Sequence, residues 1–165
     1  MLWLNGQSEA ALAMLKPMPK DPDRSRRLAL VYASGGRYSE AADALFEAPP
    51  GSYPRAVLDE AARLLRAAPS PAALPKDPKD LGELDLVYAY VGAPERALNF
   101  EERNANAGRV SALGSADFFH PSLAQVRKSP RFKAYLMKTG LVEYWRVKGW
   151  PDVCRPVGAD DFECS

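Results

Sequence analysis

Few side chains in this sequence could carry chemistry. His120 is the single histidine, and it stands before Pro121 in a predicted turn. A Ser-His-Asp triad would have to use it, yet the sequence contains no G-x-S-x-G nucleophile elbow. We therefore predict a structural or surface role for His120, no catalytic residue in the chain, and a protein that is not an enzyme.

Metal and cofactor sites also lack their usual signatures. One histidine with two cysteines is too sparse for a tetrahedral zinc site. The sequence has no P-loop and no G-x-G-x-x-G pattern. The acidic pairs Glu101-Glu102 and Asp160-Asp161 are interpreted as solvated runs, because general acid–base catalysis requires carboxylates that are buried and held in a fixed geometry. We expect no metal ion and no cofactor.

Charge and hydropathy narrow the class of partner. The 22 basic and 21 acidic side chains leave a net charge of +1, which gives no general field for nucleic acid or for an anionic membrane. No apolar run approaches the roughly 20 residues that a membrane span needs. We interpret the basic groups at 24–27 and 128–133 as solvated helix faces. The expected partner is therefore a protein or a peptide.

The elements that position these side chains follow a helical period. Residues 28–42 read LALVYASGGRYSEAA and residues 84–98 read LDLVYAYVGAPERAL. Each copy predicts a helix, a glycine break and a second helix, the unit from which helical solenoids are stacked. Tyr32 and Tyr88 occupy the same position in the two copies. We expect both rings in the core, packed on Ala41 and Ala97.

The predicted fold class is all-α, because no sustained alternation typical of strands occurs anywhere in the sequence. Residues 1–112 are assigned to helical hairpins, and residues 113–165 to capping helices followed by an irregular tail. Residues 6–11 echo the second half of a hairpin. This predicts that the chain begins in mid-repeat within a longer array; the alternative is a native start with a short cap.

Residues 28–48, LALVYASGGRYSEAADALFEA, resemble a tetratricopeptide repeat. Ala29, Tyr32, Gly36 and Ala41 stand at the small, aromatic and turn positions of that family. The second copy departs from the pattern: Asp85 replaces a small residue, Pro94 the turn aromatic and Glu101 a large apolar residue. The resemblance implies a tetratricopeptide-like solenoid with one degenerate repeat.

Residues 118–164 resemble the end of the tetratricopeptide regions of proteobacterial adenylate/guanylate cyclases and of membrane-anchored winged-helix transcriptional regulators. The matching features are Pro130-Arg131-Phe132, Gly140-Leu141, Tyr144-Trp145 and Trp150-Pro151-Asp152 through Cys154. Neither a cyclase nor a DNA-binding domain is present in this sequence, so those activities do not carry over. The resemblance implies a non-catalytic protein-interaction or sensory module, the C-terminal part of a larger bacterial signalling or regulatory protein.

One stripe of side chains is predicted to bind the partner. Arg26 and Leu30 on the first copy, and Leu86 and Tyr90 on the second, fall on the concave side of a solenoid. Leu30, Leu86 and Tyr90 are larger and more apolar than solvent exposure favours. Two alternatives stay open: the stripe packs against another helix of this chain, or Leu30 and Leu86 belong to a homodimer interface of a purely structural element.

Cys154 and Cys164 are the candidates for a disulfide. Pro156 and Gly158 between them supply a turn that would bring the two cysteines together. The alternative is a pair of reduced thiols in a cytosolic protein. A bridge favours an oxidising compartment, and the resemblance to membrane-anchored regulators, whose repeat region can lie outside the cytoplasm, implies the same. The location stays undecided, with the periplasm favoured over the cytoplasm.

Overall fold

A computed structural model describes residues 2–109 and 116–165. Within these ranges the protein is mostly helical and ends in a small two-stranded hairpin. The α-helices are α1 Ser8–Leu15, α2 Pro22–Ser34, α3 Tyr38–Leu45, α4 Arg55–Ala67, α5 Asn99–Asn106, α6 Ala124–Arg127, α7 Pro130–Lys138 and α8 Leu141–Lys148. Segments of 3₁₀ helix span Trp3–Asn5, Pro71–Ala73, Gly82–Val91, Pro94–Leu98 and Pro121–Leu123. The predicted boundary between residues 112 and 113 lies outside the described residues.

Local capping chemistry explains where the helices begin. Asp21 precedes α2, and its side chain accepts a hydrogen bond of 2.7 Å from the Arg24 backbone N–H. Ser129 does the same for α7, at 3.2 Å from the Phe132 N–H. A proline opens both helices, where its missing N–H costs no hydrogen bond. These local signals, which can be recognised in the sequence, set the starts of both helices.

The second copy of the repeated sequence is wound more tightly than the first. Gly82–Val91 and Pro94–Leu98 are 3₁₀ helices, whereas the first copy forms α2 and α3. The glycine break is common to both: Gly36 and Gly92 have φ of 74° and 79°. Gly92 is also constrained by space, since a Cβ there would lie 3.0 Å from Cγ of Pro71. The helix–glycine–helix pattern was thus predictable, but its 3₁₀ winding was not.

Elements adjacent in sequence pack on one another from α1 through α4 and then onto the 3₁₀ helix Gly82–Val91. Tyr88 is fully buried in this core. Tyr32 is only half-buried, and the Arg37 guanidinium covers its ring at 4.5 Å from the centroid. Tyr32 still packs against the hydrophobic core, so both tyrosines belong to the core as predicted, but Tyr88 is buried more deeply than Tyr32. No helix in the described ranges is long and apolar enough to cross a membrane.

The tail is a β-hairpin, which corrects the prediction of an all-α fold with an irregular end. Strand β1 (Cys154–Val157) pairs with β2 (Asp161–Cys164) in antiparallel register, with Cys154 opposite Cys164. A disulfide joins these cysteines, whose Cα atoms lie 4.0 Å apart. Phe162 is buried, with its ring centroid 5.5 Å from that of Trp150. Four-residue strands are too short for a clear alternating pattern, and the cross-link and one buried aromatic hold them instead.

Candidate functional site

The four residues predicted to bind a partner are brought together, but they are not exposed. Leu30, Leu86 and Tyr90 are 5%, 7% and 7% exposed, and the Arg26 side chain is 13% exposed. The prediction that these four positions form an exposed docking stripe is therefore wrong. The alternative, that the stripe packs within the chain, agrees with the structure. The groups that bond to Arg26 and Tyr90 come from the segment after residue 116.

The covering contacts are specific. Arg26 Nη1 lies 2.8 Å from Asp117 Oδ2, and the Tyr90 hydroxyl lies 3.2 Å from Ser122 Oγ. Asp117 and Ser122 of this chain thus contact the stripe that was predicted to bind a partner. An open concave surface remains next to these contacts, nearer the start of α2.

That remaining surface is a cleft of about 650 Å³. It is bounded by the first turns of α2, the start of the 3₁₀ helix Gly82–Val91, and α5. One wall comes from residues 97–104, just before and within α5. It contributes Ala97, Phe100, Glu101 and Asn104, whose spacing places them side by side. Leu86, Phe100 and Phe118 supply apolar wall. The lining is therefore mixed, with charged groups beside apolar ones.

The arginines of α2 that line the cleft are already engaged. Besides its bond to Asp117, Arg26 lies 3.3 Å from Asp23 through Nη2. Arg27 Nε donates to the other oxygen of Asp23 at 2.7 Å. The Asp23 and Asp117 carboxylates are therefore compensated by neighbouring guanidinium groups on this side of the cleft.

Two carboxylates on the opposite side are not compensated in this way. Within the described residues, neither Glu83 nor Glu101 has a hydrogen bond or an ion pair, although both line the cleft. Glu101 is half-buried, and this burial raises the pKa of its carboxyl group; Arg26 opposes the rise, whereas Asp117 and Glu83 add to it. The cleft thus holds a partly desolvated carboxylate that forms no ion pair with any described residue.

Asp85, at the edge of the same cleft, is 1% exposed. Its Oδ1 accepts a hydrogen bond of 2.9 Å from the Leu81 backbone N–H. Its Oδ2 accepts none from the described residues, and Arg103 Nη2 lies 3.7 Å away. Burial raises the pKa of Asp85 to about 6, and Asp80 adds to the rise while the Leu81 N–H bond and Arg103 oppose it.

Two residues of this site are also departures of the second copy from the repeat pattern. Asp85 and Glu101 are two of the three positions at which the second copy departs from the repeat pattern, and both line the cleft. A charged residue where a repeat normally places a small or apolar one is costly in a core. Glu101 avoids that cost in part because it is only half-buried at the cleft, whereas Asp85 is buried and its pKa is raised.

His120 has a packing and capping role in the structure. Its Nδ1 accepts a hydrogen bond of 3.1 Å from the Ser122 backbone N–H, which caps the short 3₁₀ helix Pro121–Leu123. Ser122 Oγ is also 2.8 Å from Nδ1. Burial, and secondarily the charge of Arg127, lower the pKa of His120 to about 4, so the ring is neutral at pH 7. The residues that line the cleft do not include His120 or Ser122.

In the described ranges, no group of three or more histidine, cysteine, aspartate or glutamate side chains is arranged to hold a metal ion. Comparison of the chain with protein-family models, with characterised proteins and with solved structures gave no match.

Proposed function

We propose that this chain is a non-catalytic protein-interaction module of a larger bacterial signalling or regulatory protein, and that it binds a peptide segment of its partner in the cleft between α2 and α5. The observation that carries this proposal is the cleft itself. It is large enough for peptide side chains, since ligand pockets generally measure about 300–1,000 Å³. It also combines apolar wall with two carboxylates that form no ion pair within the described residues.

The arrangement of the helices supports a repeat-like scaffold. Successive elements from α1 to α4 pack as neighbours, and in each helix–glycine–helix unit the two helices pack on one another. We interpret this as a short tetratricopeptide-like solenoid whose concave side is partly filled by residues 117–122. Such scaffolds bind extended segments along their inner helices.

A second candidate is a structural or homodimerising element, and one surface favours it. Met137 of α7 and Tyr144 and Val147 of α8 are 54%, 59% and 79% exposed. Tyr144 and Val147 stand three residues apart and so share one exposed face of α8, and a contiguous exposed apolar face is the type of surface at which copies associate. Light scattering coupled to size exclusion separates the two candidates, because only a homodimerising element changes mass with concentration and with Tyr144→Ser.

The peptide-binding role is tested by selecting binders from a library of random displayed peptides. Selected peptides are then measured against the wild type, Phe100→Ala in the cleft wall, and Tyr144→Ala on α8 as the matched control. Binding that is lost in Phe100→Ala and kept in Tyr144→Ala supports the proposal, provided that both variants melt like the wild type. Binding lost only in Tyr144→Ala, or no peptide selected at all, contradicts it.

A further inference from the structure

We propose that the peptide bound in this cleft contributes a basic side chain, arginine or lysine, whose cationic group lies between Glu101 and Glu83. This inference rests on the proposed peptide-binding role and specifies the chemical class of the partner. It is argued from charge complementarity across the cleft.

The charges that line the cleft do not balance. Its lining contains five carboxylates, from Asp23, Glu83, Asp85, Glu101 and Asp117, against three guanidinium groups, from Arg26, Arg27 and Arg109. Residues 110–115, which connect two parts of the lining, read VSALGS and include no ionisable side chain. The side chains of these connecting residues therefore cannot neutralise the negative excess of the cleft lining.

The excess is concentrated on one side. Asp23 and Asp117 form ion pairs with the α2 arginines, and Asp85 has Arg103 beside it. Arg109 lies 3.4 Å from the Asn104 side-chain oxygen. Glu83 and Glu101 remain, without a partner among the described residues. A cation placed between them would offset the burial of Glu101, which a neutral or acidic ligand would make worse.

The neighbouring wall suits the rest of a basic side chain. Phe100 precedes Glu101 on α5, and Leu86 follows Glu83 by one 3₁₀ turn. The methylene stems of arginine and lysine cover apolar surface while their charged ends remain polar. A guanidinium or ammonium group held at the glutamates would therefore place its stem against Phe100 or Leu86.

An anionic partner is disfavoured by the same geometry. The donors of Arg26 are directed to Asp117 and Asp23, and Arg27 Nε is directed to Asp23. A phosphate or an acidic peptide that bound these donors would have to displace the carboxylates, and it would also meet Glu101 and Glu83. The lining therefore favours a cation over an anion.

The test uses the selected peptides that require the cleft. Each arginine is replaced by citrulline, which keeps the shape and removes the charge, and each lysine by acetyl-lysine, which removes the charge. One such replacement is expected to weaken binding by about tenfold. Glu101→Gln is expected to weaken the parent peptide by the same factor, whereas Glu143→Gln on α8, an exposed glutamate outside the cleft, leaves it unchanged.

A double-mutant cycle makes the contact specific. If the basic side chain lies at Glu101, the neutralised peptide binds Glu101→Gln no more weakly than it binds the wild type. Arginine and lysine are distinguished by which replacement has the effect. Because Glu101 makes no hydrogen bond within the described residues, Glu101→Gln is expected to fold, and its thermal melt verifies this.

Failure of this inference differs from failure of the proposed function. Peptides that need Phe100 but bind Glu101→Gln equally well or better, or that contain no essential basic residue, overturn the cationic ligand and leave the peptide-binding cleft intact. Absence of any cleft-dependent peptide overturns both.

Discussion

The indole of Trp3 lies flat on the imidazole of His120, with ring centroids 4.2 Å apart and planes 7° from parallel. The same indole donates a hydrogen bond of 2.8 Å from Nε1 to Ser34 Oγ at the end of α2. One side chain near the start of the chain therefore joins the helical region to the segment that follows residue 116. This contact helps to hold the segment that contains His120 against α2, beside the cleft.

Replacing Trp3 by alanine is expected to lower the free energy of unfolding by about 3–5 kcal/mol, because the change removes a buried aromatic ring, its stacking contact with His120 and its hydrogen bond to Ser34. Urea unfolding followed by circular dichroism measures this loss. Tyr144→Ala, at an exposed aromatic residue, is the control and should shift stability by less than about 0.5 kcal/mol. Equal effects of the two substitutions would show that Trp3 does not hold the two segments together.

The low pKa of His120 predicts that acid weakens the fold. Burial and the charge of Arg127 lower the pKa of this imidazole to about 4 in the native state, from 6.5 when it is free. Between these values the unfolded chain binds the proton and the native state does not, so stability falls as pH drops from about 7 to 4. The loss from this group is expected to reach about 2 kcal/mol after allowance for solvent screening.

The variant His120→Asn isolates this effect, because an asparagine oxygen can still accept the Ser122 N–H bond. The stability difference between wild type and His120→Asn should narrow as pH falls from about 7 to 4. A difference that stays constant over that range would contradict a neutral buried imidazole.

Asp85 is expected to give the opposite pH dependence. Burial raises the pKa of this carboxyl group to about 6, from 3.8. Its contribution to stability is therefore present at low pH and lost as pH rises through about 6, where the native state must ionise a buried group. Asp85→Asn keeps an acceptor for Leu81 N–H and should gain about 2 kcal/mol relative to wild type between about pH 4 and pH 8.

Denaturant unfolding at several pH values tests the Asp85 prediction. Asp59→Asn, at an exposed carboxylate on α4, is the control and should show no such gain. If Asp85→Asn instead loses stability relative to wild type at high pH, the ion pair with Arg103 outweighs the burial of the charge.

The disulfide is expected to stabilise the C-terminal hairpin. Cys154 and Cys164 close a loop of sequence separation 10, and a loop of this length contributes roughly 2–3 kcal/mol in the chain-entropy model. The double variant Cys154→Ser/Cys164→Ser should unfold at correspondingly lower denaturant. Reduced wild type should match the variant. Alkylation of unreduced protein should modify neither cysteine, and modification of both would show that the thiols are free.

Helix positions were accessible from the sequence where local chemistry sets them. The pairs Asp21-Pro22 and Ser129-Pro130 mark the starts of α2 and α7, because capping acts within a few residues. The burial of Leu30, Leu86 and Tyr90 was not predictable from these local rules, because the groups that bond to Arg26 and Tyr90 follow residue 116. A helical stripe looks the same whether a partner or the chain itself covers it.

The cleft was accessible only in part. Asp85 and Glu101 stand out as charged departures from a repeat, yet their meaning depends on which side chains lie opposite them in space. Arg26 is paired with Asp117 and Asp23, so Glu101 has no ion pair within the part of the chain that the structure describes. Such pairing is a property of tertiary structure. The β-hairpin was missed for a related reason, since its strands depend on a cross-link and on burial of Phe162 against Trp150.

The most direct test of a peptide-binding cleft is to map a selected peptide by the chemical shifts of backbone amides in ¹⁵N-labelled protein. The proposed role predicts that peptide addition perturbs the amides of residues 82–86 and 97–104, which form two walls of the cleft, and leaves α8 unperturbed. Perturbations confined to α7 and α8, with the cleft walls silent at saturating peptide, would contradict it.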